Sequence, residues 1–490
     1  MNMCCSERNC SMIDFEQTLD ENYLKWRDKG HIFEKQDGGY QGITYGEFLD
    51  RTRGFAEHLL SLGLSGKSIM LYGENSSKYM MADLAVLHYV GVSVCVSKEW
   101  KAAELIRAVR MLDISCIIYG EEKQEVIDCV LAEFPGLLCI PMSCVADYKV
   151  TKQCVPRGEE ECCKIVFSSG TTAMPKAVML SKKNLFAGVS SLYKRCPFHE
   201  GDVDYLFLPL SHTYAGIYNF LYSLIFGFSI YLCSGMNELA SELREINPTL
   251  FCGVPVIYRR LYEAYGSNLH VAFGNRIQYL FCGGAHFEED IRKAYKDSGL
   301  NIMEAYALSE TASTFAIQYP YDPDVKTVGT VAEDIEVKVI DADESGVGEI
   351  VVKGDNVFLG YAKDKELTES VFTTDGFFKT GDLGYLLPDD EHGGLKLYIT
   401  GRKKKVLIGE NGENIEPTHI EKLICEKNAN INKALLFIRD GKLGCHLYLM
   451  KPEERDWDMF FEEVNKELSG YEKIRHFDVM MDSVEKRWKQ

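Results

Sequence analysis

Apolar residues in this chain fall in short runs separated by amphipathic stretches, and the alternation is clear from position 68 onward. The run I-M-L-Y at 69–72 precedes a helical stretch over 78–89 and then V-S-V-C-V at 92–96. The unit repeats as a helix over 102–112, a strand in S-C-I-I-Y at 115–119, a helix over 122–133 and a strand in L-L-C-I at 137–140. Strands alternating with helices of this length predict βαβ units and a doubly wound, mostly parallel sheet, because a parallel pair needs a crossover long enough to hold a helix. Further α/β pattern runs to about 308. After 331 the texture changes to short strands, I-E-V-K-V-I, G-E-I-V-V-K and L-K-L-Y-I-T, which predict a β-rich subdomain over about 331–400. The basic turn G-R-K-K-K-V-L-I at 401–408 then opens a second pattern of mixed helix and strand. A boundary is expected there, dividing a large domain over 1–402 from a small, mobile α+β domain over 403–490.

One stretch invites a membrane reading. Between 204 and 238 there is no Lys, Arg, Asp or Glu. Pro209, Ser211, His212, Asn219, Gly227, Ser229 and Gly235 punctuate it, so a strand, a buried helix and a second strand are expected, with no transmembrane segment.

Composition narrows the class. A chain of 490 residues, 46% hydrophobic and 26% charged, is neither a small binding module nor a disordered or fibrous chain. Its net charge of −19 repels nucleic acid and anionic lipid, so any anionic ligand needs a locally basic site. The 17 cysteines are odd in number and form no C-x-x-C pair, which argues for reduced thiols acting as small hydrophobes, as at Cys116. Residues 1–14 show no apolar run behind a basic start, so no secretory signal is expected and the expected location is cytoplasmic.

The most informative segment is I-V-F-S-S-G-T-T-A-M-P-K-A-V-M-L-S-K-K-N-L at 165–185. An apolar run enters a loop of small hydroxyl residues and glycine that ends in Pro175 and Lys176. Such a loop offers backbone N–H groups, hydroxyls and one ammonium to a polyphosphate. It lacks the G-x-x-x-x-G-K-[ST] spacing of a Walker A loop, and alone it reads equally well as a Ser/Thr-rich surface loop. It is followed, in order, by A-Y-A-L-S-E-T at 305–311, F-K-T-G-D-L-G at 378–384 and G-R-K-K-K at 401–405.

Together these four segments resemble the superfamily of ATP-dependent adenylate-forming, AMP-binding enzymes, which includes acyl-CoA synthetases, adenylation domains and luciferases. The resemblance runs from about Tyr23 to the end of the chain. Its wording is nearest to long-chain acyl-CoA synthetases in G-R-K-K-K-V-L-I-G-E-N-G-E-N-I-E-P and G-E-I-V-V-K-G-D-N-V-F-L-G-Y. It implies an acid–thiol ligase working in two half-reactions. An acid and Mg·ATP give an acyl-adenylate and pyrophosphate, and a thiol then displaces AMP. By that resemblance Ser168, Ser169, Gly170, Thr171, Thr172 and Lys176 cradle the β- and γ-phosphates, Ser309 contacts the α-phosphate, and Glu310 holds Mg²⁺. Tyr306 and the backbone of Gly283, Gly284 and Ala285 lie against adenine, while Asp382 and Arg402 take the ribose. Lys404 is the hinge and Lys486 the catalytic lysine. His212 is a gate or a neighbour of the reacting carboxylate, and Ala215, Gly216 and Ala307 join it in leaving room for an acyl group.

The implied ligands are ATP, Mg²⁺, an apolar carboxylic acid and coenzyme A, or the phosphopantetheine of an acyl carrier protein. Departures are visible. Ala173, Ala177 and Ala307 stand where the family has Gly, and Ala resists positive φ. Glu485 replaces the glycine before the catalytic lysine. Glu304 stands where amino-acid-activating domains tend to have Asn, and His212 where they place an amine-pairing Asp, so an amine-bearing acid is not expected. Two other readings stay open: a stand-alone adenylation enzyme loading a carrier protein, and a degenerate nucleotide-binding regulator or scaffold.

Overall fold

The computed structural model describes residues 14–36, 39–148, 150, 154–168, 175–285, 287–312, 314–403, 407–409, 413–415 and 417–481. The first βαβ series forms a seven-stranded sheet. In it Ser68–Tyr72, Val92–Cys95, Ile114–Tyr119 and Leu138–Pro141 run parallel, joined by the helices Ser77–Ala85, Ala102–Leu112 and Gln124–Glu133. Strand Cys162–Ser168 adds in parallel beside Val92–Cys95 and returns antiparallel as Lys176–Ser181. The two-residue strand Gly360–Tyr361 closes that edge.

A second sheet, of thirteen strands, begins with a parallel series through Gly30–Gln36, Ser229–Leu232, Val203–Leu206, Leu250–Gly253, Tyr279–Cys282 and Ile302–Tyr306. Ala316–Ile317 and Gly329–Val331 then reverse direction and lead into antiparallel Leu395–Arg402, Phe378–Pro388, Gly348–Lys353 and Glu336–Ile340. The β-rich stretch expected over 331–400 therefore extends the parallel sheet instead of forming a sheet of its own. Ile302–Tyr306 would otherwise be an open edge with unpaired N–H and C=O groups, and the reversal supplies their partners.

The uncharged stretch resolves as expected into strand, helix and strand. Its helix runs from Tyr214 to Phe226, with Tyr214–Leu221 wound as a π-helix, and ends at Gly227 with φ +74°. Among the described residues no helix is long and apolar enough to cross a membrane. The C-terminal part has its own apolar cluster, including Ile420, Ile424, Leu436, Leu447, Phe460, Phe461 and Val464, between helices Pro417–Lys427 and Trp457–Glu467 and a three-stranded sheet.

Local chemistry accounts for individual elements. Helix Tyr45–Ser61 starts at a capping box, with the Glu47 N–H donating to Thr44 Oγ1 at 3.1 Å and the Thr44 N–H donating to the Glu47 carboxylate at 3.0 Å. Its buried face is Phe48, Leu49, Phe55, Ala56 and Leu59, an apolar stripe at helical spacing.

On strand Cys162–Ser168, Lys164 forms an ion pair with Asp83 at 2.5 Å, with side chains 0% and 1% exposed. Burial pulls the Lys164 pKa down, but Asp83 outweighs it and leaves the pKa raised. Ser93 Oγ donates to the other Asp83 oxygen at 2.6 Å, so both carboxylate oxygens are engaged. Removing one partner of such a pair leaves an uncompensated buried charge, which costs about 3–5 kcal/mol. Lys164→Ala is accordingly expected to lower unfolding stability by that amount in urea titration, and a change below 1 kcal/mol would refute the role.

Candidate active site

The site forms where the two sheets meet. In the hairpin from the seven-stranded sheet, Ser168 and Lys176 are direct register partners at the neck of the loop they flank. Tyr306 ends the last parallel strand of the other sheet, and the turn Ser309–Thr311 follows. That turn is fixed locally, with the Leu308 N–H donating to Thr311 Oγ1 at 2.9 Å and the Thr311 N–H donating to the Leu308 carbonyl at 3.1 Å.

Asp382 and Arg402 lie in different sequence motifs but are cross-strand partners in the hairpin of Phe378–Pro388 and Leu395–Arg402. Arg402 Nε lies 2.7 Å from Asp382 Oδ1 in an ion pair, and the Tyr306 hydroxyl donates to Oδ2. Asp382 is 2% exposed. Burial pushes its pKa up, and Arg402 and Tyr306 oppose that shift by favouring the charged form. The Tyr306 hydroxyl is pushed well up as well, first by burial and then by Asp382, so it stays a donor. Gly381 precedes Asp382 at φ +74°, a turn that suits glycine, and its carbonyl accepts from the Lys403 N–H at 2.8 Å.

Glu310 is half-buried, and Oε1 of its carboxylate accepts from Ser168 Oγ at 3.1 Å and from the Tyr361 hydroxyl at 2.9 Å. Among the described residues its side-chain partners are hydroxyls, so its charge is not committed to a Lys or Arg. A hard divalent cation such as Mg²⁺ prefers carboxylate and phosphate oxygens, and the donor set fits it. Bound there, the ion would supply charge neutralisation to phosphate oxygens.

His212 opens the π-helical segment at the carboxyl end of Val203–Leu206. Its ring reaches solvent, yet it is ringed by enough protein that desolvation pulls its pKa below the usual 6.5, while the Glu413 carboxylate pulls the other way. Ala215 is fully buried and Ala307 half-buried. At Gly216 a Cβ would fall 2.9 Å from the Leu210 carbonyl and 3.9 Å from the Lys164 stem. That glycine allows the helix to pack closely on the Leu210 backbone. Gly283 is buried against the Ala305 carbonyl, Gly284 is exposed at φ +82°, and Ala285 is half-buried beside it.

Ser168, Lys176, Tyr306, Ser309, Glu310, Asp382 and Arg402 thus lie on strands and turns that converge at this seam. Ser169, Gly170, Thr171, Thr172, Lys404 and Lys486 lie outside the described residues. Ala177 sits inside a strand, and neither it nor Ala307 has positive φ, so these two departures from glycine carry no backbone strain. The strained alanine is Ala312, at φ +48° immediately after the Glu310 turn. Glu304 is buried and paired with Arg292 at 2.5 Å. Burial raises its pKa to about 7 against the pull of Arg292, and its carboxylate is committed inside the core. Tyr361 was not anticipated as a site residue. Its only sequence signal was the Gly-Tyr ending G-E-I-V-V-K-G-D-N-V-F-L-G-Y, which carries no charge or nucleophile.

Fold and site define an AMP-forming acid–CoA ligase class of enzyme. The family model for AMP-binding enzymes matches residues 19–362, and the chain belongs to that family. Similar proteins include a long-chain-fatty-acid–CoA ligase of Xenopus laevis, 24% identical over 86% of this chain and 67% of the relative. The peroxisomal long-chain acyl-CoA synthetase 7 of Arabidopsis thaliana is 26% identical over 78% of this chain and 65% of its own length. The chain therefore spans about two thirds of the length of these relatives. A solved structure of o-succinylbenzoate CoA synthetase from Bacillus subtilis, a double mutant with a bound product analogue, superposes with a TM-score of 0.79 at 20% identity, covering 94% of each chain.

If Asp382 organises the nucleotide end of the site, Asp382→Asn removes a charged acceptor from two donors, and hydrogen bonds to charged groups are worth about 1.5–3 kcal/mol. The expected result is an AMP affinity weakened about 10-fold or more by isothermal titration, with the fold intact by circular dichroism.

Proposed function

We propose that this chain activates an apolar carboxylic acid on ATP and transfers the acyl group to coenzyme A. In the first half-reaction a carboxylate oxygen attacks the α-phosphorus and pyrophosphate leaves. In the second a thiolate attacks the acyl carbon, and AMP leaves with the electron pair of the broken C–O bond. The observation that carries the reading is the convergence of Ser168 and Glu310 with Tyr306, the buried Asp382 and Arg402 at one seam.

Each residue has a task in this scheme. Two unit negative charges 4 Å apart repel by about 4 kcal/mol at an effective dielectric near 20, so carboxylate and triphosphate need local cations. In this scheme Lys176 and Ser168 serve the terminal phosphates, and Ser309 the α-phosphate. Tyr306 and Asp382 take adenine and ribose, with Arg402 closing from the exposed side. Lys486 would bring a further cation to the α-phosphate, and Lys404 would be the hinge that moves it. For the acid, His212 in place of an Asp supports a substrate without an amine, and Glu304 is spent on Arg292.

Coenzyme A is taken as the thiol because the similar proteins are CoA ligases, and a lysine pair beside the Glu99 carboxylate, where the two parts of the chain meet, bears on that choice. Lys473 stands against Lys101, and that like charge is the largest cause pulling its pKa down, with Arg475 adding to it. Gly470 lies over Glu99 at the same place, so the juxtaposition is built into the packing. Ammonium groups held together gain from a phosphate between them, which a nucleotide-bearing thiol supplies.

Acid-dependent ATP–pyrophosphate exchange over fatty, aryl and amino acids tests the first half. Fatty or aryl acids are expected to drive exchange, and a free amino acid outperforming all of them would overturn the substrate reading. Lys473→Glu tests the second half. We expect the KM for coenzyme A to rise about 10-fold while exchange is unchanged, and an unaltered KM would remove Lys473 from the coenzyme A contact.

A further inference from the structure

Glu310 is held at both ends by one short segment. The Phe358 N–H donates to its carbonyl at 2.9 Å, and the Tyr361 hydroxyl donates to its carboxylate, also at 2.9 Å. Tyr361 is 4% exposed, so bulk water is no substitute partner for that hydroxyl. The face of the same ring lies under the Lys176 ammonium, 5.3 Å from Nζ to the ring centroid, within cation–π range.

The backbone holds Tyr361 in this position from both sides. Gly360 and Tyr361 pair with Met179 and Val178, and the N–H groups of Leu359 and Ala362 donate to the carbonyls of Met179 and Ala177 at 2.9 and 2.8 Å. The Tyr361 N–H donates to Thr368 Oγ1 at 2.9 Å. That contact needs glycine at 360, where φ is +130° and a Cβ would fall 2.7 Å from the Thr368 side chain. The strand carrying Lys176 thus fixes Tyr361, and Tyr361 fixes Glu310.

We propose that Tyr361 is a positioning residue that sets the metal-holding carboxylate of Glu310 and the phosphate-binding ammonium of Lys176 from a single side chain. Both hydroxyl donors, Ser168 and Tyr361, fall on Oε1 of Glu310, which leaves Oε2 for a cation. Partners that orient a metal-binding carboxylate in this way are worth about 10–100-fold in metal affinity. The hydroxyl and the ring are separable functions: the first acts on the metal and the second on the phosphates. This inference rests on the reading of Glu310 given above.

The test is Mn²⁺ binding, followed by electron paramagnetic resonance on the full chain with a non-hydrolysable ATP analogue, together with the KM for ATP in pyrophosphate exchange. Tyr361→Phe keeps the ring and its packing but lacks the hydroxyl. It is expected to weaken Mn²⁺ about 10-fold and leave the KM for ATP within about twofold. Tyr361→Leu, which also removes the ring face, is expected to raise the KM for ATP as well, with thermal unfolding monitored to confirm that the variant is folded. Mn²⁺ affinity in Tyr361→Phe equal to that of the unmodified chain, while Glu310→Gln weakens it, overturns the proposal and leaves the Glu310 reading standing. Unchanged Mn²⁺ affinity in Glu310→Gln overturns both.

Discussion

The site depends on one stitch between the two sheets. The segment 358–362 leaves the thirteen-stranded sheet and hydrogen-bonds along Ala177–Met179 of the other, immediately after Lys176. Without that pairing the hairpin of Ser168 and Lys176 and the Glu310 turn would belong to separate layers. With it, Ser168 and Glu310 are within hydrogen-bonding distance although 142 residues apart in sequence. Backbone hydrogen bonds suit this task because they fix direction as well as distance, and a reacting geometry tolerates little misplacement.

Electrostatics then decides what the seam can hold. A chain with net charge −19 repels anions at long range, so affinity for a triphosphate has to come from short-range groups. The structure keeps its acidic site residues from spoiling that field. Asp382 is paired with Arg402, Glu304 with Arg292, and Asp83 with Lys164. Glu310 is left with hydroxyl partners among the described residues, and it is the carboxylate for which a divalent cation is chemically suited.

Much of this was legible in the sequence, and the limits are physical. The βαβ crossovers over 68–141 were readable because period and helix length are local properties, and the four motifs were readable because they carry charged or glycine-rich signatures. The union of the 331–400 strands with the parallel sheet was not, since it depends on two very short reversing strands, Ala316–Ile317 and Gly329–Val331, that leave no periodic trace. The Asp382–Arg402 contact was implied as two separate ribose ligands, whereas hairpin register makes them opposite partners. At Gly216 a missing side chain reads the same whether a ligand or a backbone carbonyl fills the space. Tyr361 escaped notice because an aromatic at the end of an apolar run is usually core, and only the second sheet turns it toward Glu310.

Ala312 shows why the site is built before any ligand arrives. A non-glycine residue at φ +48° is destabilised by about 1–3 kcal/mol and persists only where its surroundings over-determine it. Here the determinants are identifiable: the Leu308–Thr311 bonds close the turn, the Phe358 N–H grips the Glu310 carbonyl, and the Phe315 N–H donates to the Tyr306 carbonyl at 3.2 Å, bracketing Ala312 on both sides. The strained backbone lets the chain leave the Glu310 turn sharply enough to return as Ala316–Ile317 beside Tyr306. The same constraint that closes the sheet edge therefore aims the Glu310 carboxylate. Relaxing Ala312 alone would free neither, because hydrogen bonds hold the chain on each side of it.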